Sequence, residues 1–198
     1  ALVSRGVKAL LLACNTATGA CIKDIREKFA IPVVSIEPAI KPACASTDEG
    51  RVLMLATLAT TRLVRYRALV SRMPDPARVV SVACPGLADR IERGIFAANA
   101  FDDLLERHLA PYHGMTVSGI VLGCTHYPFI RGAIARYANR HFQGACRIYD
   151  GADATAKQLG RVLRDNRLEN DHGSGRVTFL TSGDPAVYGP LFQMLRGK

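Results

Sequence analysis

The sequence lacks any uncharged apolar stretch near the roughly 20 residues that a helix needs to cross a bilayer, which excludes a membrane-spanning helix. It also lacks a Gly/Ser linker and any low-complexity tract. The uncharged run before Cys14 covers only residues 9–13, whereas the apolar region of a signal peptide has roughly 7 to 15 residues. A chain of 198 residues with 48% hydrophobic content can bury a core, so the sequence predicts a globular protein of the cytoplasm.

The cysteines form no CxxC pair and no dense framework of the kind found in small secreted domains. All six are scattered along the chain: Cys14, Cys21, Cys44, Cys84, Cys124 and Cys146. This spacing predicts free thiols rather than structural disulfides.

Negative charge is scarce, with 17 Asp and Glu against 26 Lys and Arg, which gives a formal net charge of +9. A basic protein can bind a polyanion, but the basic residues are spread singly and few aromatic side chains accompany them to stack on bases. A nucleic-acid partner is therefore not expected. A solvated basic surface explains the charge, and a small anionic substrate also fits it.

Apolar runs alternate with helical segments, a pattern typical of βα units around a largely parallel sheet. The sequence therefore predicts an α/β protein. The predicted strands are 7–13, 32–36, 52–56, 78–83, 117–122, 147–149 and 177–181, and the predicted helices are 19–29, 61–73, 87–93, 101–109, 131–141, 152–164 and 185–195.

Two of the strands share a local pattern, seen in VKALLLACNTATGA at 7–20 and VSGIVLGCTHYPFI at 117–130. Each is a hydrophobic strand followed by a small residue, a cysteine, hydroxyl or amide residues, and a helix. Parallel-sheet proteins bind ligands at the carboxyl ends of their strands. We therefore expect Cys14 and Cys124 to face one cleft from opposite sides.

A cysteine just before a helix experiences the positive end of the helix dipole, which lowers its pKa and favours the thiolate. The residues after the two cysteines, Asn15, Thr16, Thr125 and His126, can hydrogen-bond a carboxylate. Two opposed thiols suit removal of a proton from one face of a carbon and its return to the other face. The pattern therefore favours racemisation or epimerisation.

Other interpretations of the same residues stay open at this point. Cys14 could be a core residue, although the polar Asn15 and Thr16 after it are unusual for a core. Cys124 and His126 could form a C-x-H metal site, but no second ligand pair lies at zinc-like spacing. They could also form a nucleophile pair for acyl transfer, which would leave Cys14 without a role.

The motifs ACNTAT at 13–18 and GCTHYP at 123–128 resemble the paired signature of the bacterial glutamate racemases, in the cofactor-independent aspartate/glutamate racemase superfamily. The resemblance covers nearly the whole chain. Weaker matches that support it are IPVVSIEPA at 31–39, VLMLATLATT at 52–61, CPGLADRIERG at 84–94, IYDGADATA at 148–156 and TSGD at 181–184.

The resemblance implies two pseudo-symmetric α/β domains with the active site in the cleft between them. Residues 1–37 and 148–198 would form what is present of the first domain, and residues 38–147 the second. The implied activity is conversion of L-glutamate to D-glutamate for peptidoglycan, without pyridoxal phosphate or a metal. A homodimer is also implied.

The resemblance also assigns roles to individual residues. Cys14 would deprotonate the D-enantiomer, and Cys124, assisted by His126, the L-enantiomer. The implied substrate contacts are Asn15, Thr16, Thr57, Thr60, Thr125 and His126. Glu92 would be an acidic helper, although an acidic residue on an amphipathic helix is also ordinary, and a plain loop role is an alternative for Thr57 and Thr60.

The sequence departs from the family pattern in several places. Members begin with a strand and an Asp-Ser-Gly loop, followed by a Tyr-Gly loop, and neither is present here. Ala59 stands where glycine is usual, and Thr18 where serine is common. Two alternatives therefore remain: another racemase or a decarboxylase of the superfamily, and an inactive truncated binding protein.

Overall fold

The chain, described for residues 1–97 and 99–197 in a computed structural model, forms two parallel β-sheets flanked by helices. The strands are β1 Leu10–Leu12, β2 Val33–Ser35, β3 Arg51–Ala56, β4 Val79–Ala83, β5 Val117–Leu122 and β6 Arg147–Tyr149. The helices are α1 Asn15–Lys28, α2 Ile40–Cys44, α3 Leu58–Arg62, α4 Val64–Ser71, α5 Leu87–Glu92, α6 Asp102–Leu109, α7 Arg131–His141, α8 Ala152–Asp165 and α9 Pro185–Arg196. The predicted α/β class with parallel sheets and flanking helices is confirmed.

The larger sheet has four strands in the order β4-β3-β5-β6, and all of its strand pairs are parallel. The two central strands, β3 and β5, are almost wholly buried because helices cover both faces of the sheet. In register, Leu53 lies opposite Val80 on one side and Ile120 on the other. Continuous apolar runs therefore mark the centre of this sheet.

Each face of the larger sheet has its own core, as the alternation of side chains along β3 requires. Leu53 and Leu55 face the core that includes α5, α6 and α7. Val52 and Met54 face the opposite core, which includes residues of α2 and α4 such as Ile40 and Tyr66. These two cores hold the carboxyl ends of β3, β4 and β5 at one edge of the sheet.

The smaller sheet pairs β1 with β2 and is less buried. Leu11, in the middle of β1, has 42% of its surface exposed. The described residues of α8 and α9 include no buried side chain. Most of the buried core therefore belongs to the four-stranded part, while the division into domains at residues 37/38 and 147/148 stays a prediction.

Four predicted elements differ clearly from the structure. The strand predicted at 7–13 is shorter and spans only Leu10–Leu12. The helix predicted at 61–73 is two helices, α3 and α4, because Leu63 between them has an extended backbone. Helix α1 begins four residues before the predicted 19–29 segment, because Cys14 caps it. The strand predicted at 177–181 is wrong: these residues are exposed and pair with no described strand, so the apolar run has no sheet to join. No helix in the described part of the chain is long and apolar enough to cross a membrane.

Candidate active site

Cys14 follows β1 and is the N-cap residue of α1. Its backbone is extended, and its sulfur accepts a hydrogen bond from the Ala17 backbone N–H at 3.5 Å. The side chain is exposed. The first cysteine is therefore an accessible thiol at the positive end of a helix, as the sequence predicts.

Cys124 follows β5 and is buried, with 8% of its surface exposed. Burial raises the pKa of its thiol; the His126 backbone N–H opposes this, and the nearby Cys14 and Glu92 add to the rise. The expectation of a lowered pKa is therefore wrong for Cys124. A short 3-10 turn, Tyr127–Ile130, separates it from α7, so desolvation outweighs the effect of the helix.

The two cysteine loops are joined directly. The Asn15 side-chain N–H donates a 2.9 Å hydrogen bond to the carbonyl oxygen of Gly123, in a buried setting. Asn15 is the residue after Cys14, and Gly123 is the residue before Cys124. The loops that follow β1 and β5 therefore meet, which brings both thiols to one region, close enough for Cys14 to raise the pKa of Cys124.

His126 connects Cys124 to an acidic side chain. Its Nδ1 lies 3.5 Å from the Cys124 sulfur, and its Nε2 lies 2.9 Å from a carboxylate oxygen of Glu92, in the last turn of α5. An ionised carboxylate can only accept a hydrogen bond, so Nε2 carries the hydrogen. In the neutral ring, Nδ1 is then an acceptor that faces the S–H of Cys124.

Three threonine hydroxyls form a triangle beside α1. The Thr16 hydroxyl lies 3.1 Å from that of Thr57 and 2.8 Å from that of Thr60, and the last two are 3.0 Å apart. Thr57 follows β3 and caps α3. The structure thus brings these three predicted residues together, and their hydroxyl hydrogens can turn toward a ligand.

Two buried polar atoms near the triangle have no hydrogen-bond partner among the described residues, Asn15 Oδ1 and Thr18 Oγ1. Both residues line a cavity of about 470 Å³ that Thr60 also lines. A buried acceptor without a partner costs stability, so its retention points to a ligand or water there. Thr18 was not predicted as a site residue. The available signal was its position three residues after Asn15, a spacing that places both side chains on one face of a helix.

Thr125 lies beside Cys124 at the wall of a second cavity of about 360 Å³. Leu11, Leu122 and Leu159 also line it, so its wall is mostly apolar. Ile36 borders both cavities. Every site residue predicted from the sequence therefore lies near the carboxyl ends of β1, β3 and β5 or, for Glu92, contacts a residue that does.

Comparison with known proteins gives a consistent result. The family model for Asp/Glu/hydantoin racemase matches residues 1–159. A glutamate racemase of Herpetosiphon aurantiacus is 41% identical over 195 residues, which is 98% of this chain and 75% of the relative. A glutamate racemase of Pseudomonas aeruginosa is 39% identical over 197 residues, 99% of this chain and 73% of the relative.

Solved structures agree with the sequence relatives. The glutamate racemase from Thermus thermophilus, in complex with β-chloro-D-alanine, has a TM-score of 0.77 at 31% identity and covers 98% of this chain and 70% of its own. The glutamate racemase from Francisella tularensis, in complex with D-glutamate, has a TM-score of 0.75 at 25% identity and covers 97% of this chain and 72% of its own.

Proposed function

The chain belongs to the Asp/Glu/hydantoin racemase family, and from this premise we propose that it interconverts L-glutamate and D-glutamate with two cysteines as the acid and the base. Relatives at 39–41% identity are glutamate racemases, which favours glutamate over aspartate or a hydantoin. The reaction as proposed uses no metal and no organic cofactor.

The observation that carries the proposal is the hydrogen bond between Asn15 and the Gly123 carbonyl oxygen. It links the residue beside one thiol to the residue beside the other. An acyl-transfer pair of Cys124 and His126 would need no such link to Cys14. The bond therefore supports a mechanism in which both sulfurs act on one substrate.

Conversion of D-glutamate begins with Cys14 as thiolate and Cys124 as thiol. The Cys14 sulfur takes the α-proton, and the electron pair of the broken C–H bond is delocalised into the substrate carboxylate. Cys124 then donates its proton to the opposite face of the carbon, which gives L-glutamate and a Cys124 thiolate. Burial favours the thiol form of Cys124, which suits it to this acid role.

His126 and Glu92 assist the Cys124 half of the cycle. In the L-to-D direction Cys124 must first lose its proton, and the Nδ1 of neutral His126 is placed to accept it. The Glu92 carboxylate stabilises the imidazolium that results. After one turnover Cys124 carries the α-proton of the substrate and Cys14 is the thiolate. The proton held by His126 is then released to solvent and Cys14 takes one from solvent, so the net proton count is unchanged.

In the proposed complex, the substrate hydrogen-bonds to polar groups near Cys14 and Cys124. Asn15 Oδ1, which has no partner among the described residues, can accept from the α-ammonium group. Backbone N–H groups in the first turn of α1 and the hydroxyls of Thr16, Thr57 and Thr60 can donate to a carboxylate. Thr125 lies beside Cys124 and would contact the substrate on that side.

The wider setting is proposed by analogy with the family. We place the enzyme in the cytoplasm as a homodimer, where it supplies D-glutamate for peptidoglycan. Its residues 1–37 and 148–198 would form what is present of the first domain and residues 38–147 the second, with the active site in the cleft between them.

Incubation with each enantiomer in deuterated water tests the mechanism. We expect deuterium at the α-carbon from both L- and D-glutamate, and no exchange with L- or D-aspartate. Exchange with neither glutamate enantiomer contradicts the proposed activity and favours a binding protein. Faster exchange with aspartate assigns the chain to a different member of the superfamily.

Serine variants separate the two thiols. Cys124→Ser should lose at least about a hundredfold in racemisation yet still exchange D-glutamate, because Cys14 remains as a base. Cys14→Ser should show the reverse preference and exchange L-glutamate. Cys21→Ser, also on α1 but with its sulfur bonded to the Ala17 carbonyl, is the matched control and should stay active. Full racemisation by either catalytic variant contradicts the two-base assignment.

A further inference from the structure

A second cluster of ionisable side chains lies outside the proposed active site, where α6 meets the end of α7. It contains Glu106, His113 and His141, each with one potential ligand atom, and these atoms all lie within 4.8 Å of one another. The buried Tyr137 lies beneath them. The proposed racemase chemistry uses none of these residues.

The cluster is connected through Tyr137. The Tyr137 hydroxyl donates to the Glu106 carboxylate at 2.8 Å, and His113 Nε2 lies 2.7 Å from the same hydroxyl. Because the hydroxyl has one hydrogen and gives it to Glu106, His113 is the donor in the second bond. His113 Nε2 is also 3.5 Å from the Glu106 carboxylate.

The two imidazole rings lie against each other. The centroids of His113 and His141 are 4.3 Å apart, and the planes differ by 13°. Both rings reach solvent in part: the His113 side chain is 37% exposed, and His141 is half-buried. A small ion can therefore enter from solvent without any opening of the core.

Backbone contacts fix the elements that carry the cluster. Glu106 lies on α6, His113 follows the 3-10 turn Ala110–Tyr112, and His141 is the last residue of α7. The Gly114 N–H donates to the His141 carbonyl oxygen at 2.8 Å. The three side chains thus lie near one another before any ion binds. Because the ring-nitrogen lone pairs lie in the ring planes, one of the two stacked imidazoles must turn for both to bind the same ion.

Two imidazoles and one carboxylate are a donor set that zinc and related ions prefer, with coordination positions left for water. A hydrogen-bonded tyrosine behind the carboxylate provides the outer support common at such sites. From this geometry we infer that Glu106, His113 and His141 bind a divalent transition-metal ion of the zinc class. Coordination by His113 Nε2 would release its hydrogen to solvent and replace its bond to Tyr137.

Such an ion would link α6 and the turn that follows it to the C-terminal end of α7. The three side chains come together only in the folded chain, so the ion would bind the folded state in preference to the unfolded state. It would therefore stabilise the four-stranded part of the molecule. It would take no part in the proton transfers at Cys14 and Cys124. The competing explanation is that the cluster is only a hydrogen-bond network between the two helices.

Metal binding to the full chain distinguishes these explanations. Chelator-treated protein is titrated with Zn²⁺ against a chromophoric competitor, and with Co²⁺ while the visible spectrum is recorded. To keep the active-site thiols out of the measurement, both arms carry Cys14→Ser and Cys124→Ser. We expect one tight site, a Co²⁺ spectrum without thiolate charge-transfer absorption, and a higher melting temperature with Zn²⁺.

Variants assign the site to these residues. His113→Ala, His141→Gln and Glu106→Gln should each weaken Zn²⁺ binding by at least about tenfold. The matched control is His172→Gln, an exposed histidine in the segment after α8, which should bind as the parent does. If His113→Ala fails to fold by circular dichroism, Glu106→Gln decides, because glutamine still accepts from Tyr137.

Three results would overturn the inference. One is the absence of any Zn²⁺ binding by the parent protein. Another is equal affinity in the parent and in the folded cluster variants. The third is a Co²⁺ spectrum dominated by thiolate absorption that disappears when the remaining cysteines are alkylated, since the ion would then bind sulfur elsewhere.

Discussion

Asn15 and Gly123 are joined by a 2.9 Å hydrogen bond from the asparagine side-chain N–H to the glycine carbonyl oxygen. The other amide atom of Asn15, Oδ1, has no partner among the described residues. One side chain therefore holds the two cysteine loops together and still offers an acceptor to a ligand. Asn15 is 7% exposed, so both functions take place away from bulk water.

The first prediction concerns Asn15. Asn15→Ala removes both functions, and it leaves the Gly123 carbonyl oxygen unpaired, at a cost of about 1–3 kcal/mol in unfolding free energy. Asn15→Asp loses the donor but keeps an acceptor for the substrate ammonium. We expect both to lower kcat/KM, Ala more than Asp. Urea unfolding and racemisation assays measure the effects, with the exposed Asn139→Ala on α7 as the control. Equal behaviour of Asn15→Ala and Asn139→Ala contradicts the prediction.

The second prediction concerns the charge of Glu92. Glu92→Gln keeps a hydrogen bond to His126 but removes the negative charge that stabilises the imidazolium. We expect kcat/KM to fall by about tenfold or more. The fall must be the same in both directions, because the two enantiomers of glutamate have equal free energy. KM should change little, since Glu92 contacts His126 rather than the substrate.

A surface glutamate provides the control for Glu92. Glu27 lies on α1 and forms an exposed ion pair with Lys23, so Glu27→Gln removes a charge of the same sign away from the site. It should leave kcat/KM unchanged. Wild-type activity in Glu92→Gln would show that the acidic residue is an ordinary member of an amphipathic helix, which is the alternative that the sequence leaves open.

The strands of the larger sheet could be predicted because their signal is local. Val117–Leu122 and Arg131–His141 have the predicted bounds, since a continuous apolar run and a helical pattern mark them within the sequence itself. The segment 177–181 has the same apolar character but lies exposed. Whether a run becomes a strand depends on a neighbouring strand with free backbone groups, which local sequence does not reveal.

Long-range contacts at the site could not be predicted from spacing. The sequence placed Cys14 and Cys124 at corresponding strand ends, but the bond from Asn15 to Gly123 depends on how the loops approach one another. The same holds for Glu106, His113 and His141, whose irregular spacing resembles no metal motif. Their juxtaposition arises from the packing of α6 against α7.

The third prediction concerns Gly123, which has no room for a side chain. A Cβ there would lie 2.0 Å from Met54 Cε and 2.8 Å from the Leu55 carbonyl oxygen. Gly123→Ala should therefore destabilise the protein by about 1–3 kcal/mol and displace the carbonyl that holds Asn15. Racemisation should fall with it. Gly160→Ala in α8, where the nearest atom is the end of the Arg164 side chain, should instead stabilise by about 0.5–1 kcal/mol. Similar unfolding free energies for the two variants would contradict this.

The fourth prediction concerns Cys84, which follows β4 beside the site and is 2% exposed. Burial raises the pKa of its thiol from 9.0 to about 12; the backbone hydrogen bond with Ala56 opposes the rise, and the nearby Cys124 adds to it. Above pH 9 the unfolded chain therefore releases this proton while the folded chain retains it. The unfolded state then binds fewer protons, so the free energy of unfolding falls as pH rises between these two pKa values.

The size of this effect can be measured by difference. Between pH 8 and pH 10 the Cys84 thiol should lower the free energy of unfolding by about 1.4 kcal/mol. Cys84→Ala creates a small cavity, which shifts its stability at every pH, but it removes this titration. Urea unfolding at both pH values should therefore show a loss in the parent that exceeds the loss in the variant by that amount. Other thiols and tyrosines titrate in both proteins, so only the difference between the two losses reports on Cys84. If the unfolding free energies of parent and variant change in parallel with pH, the Cys84 thiol ionises as readily in the folded protein as in the unfolded chain, which contradicts the prediction.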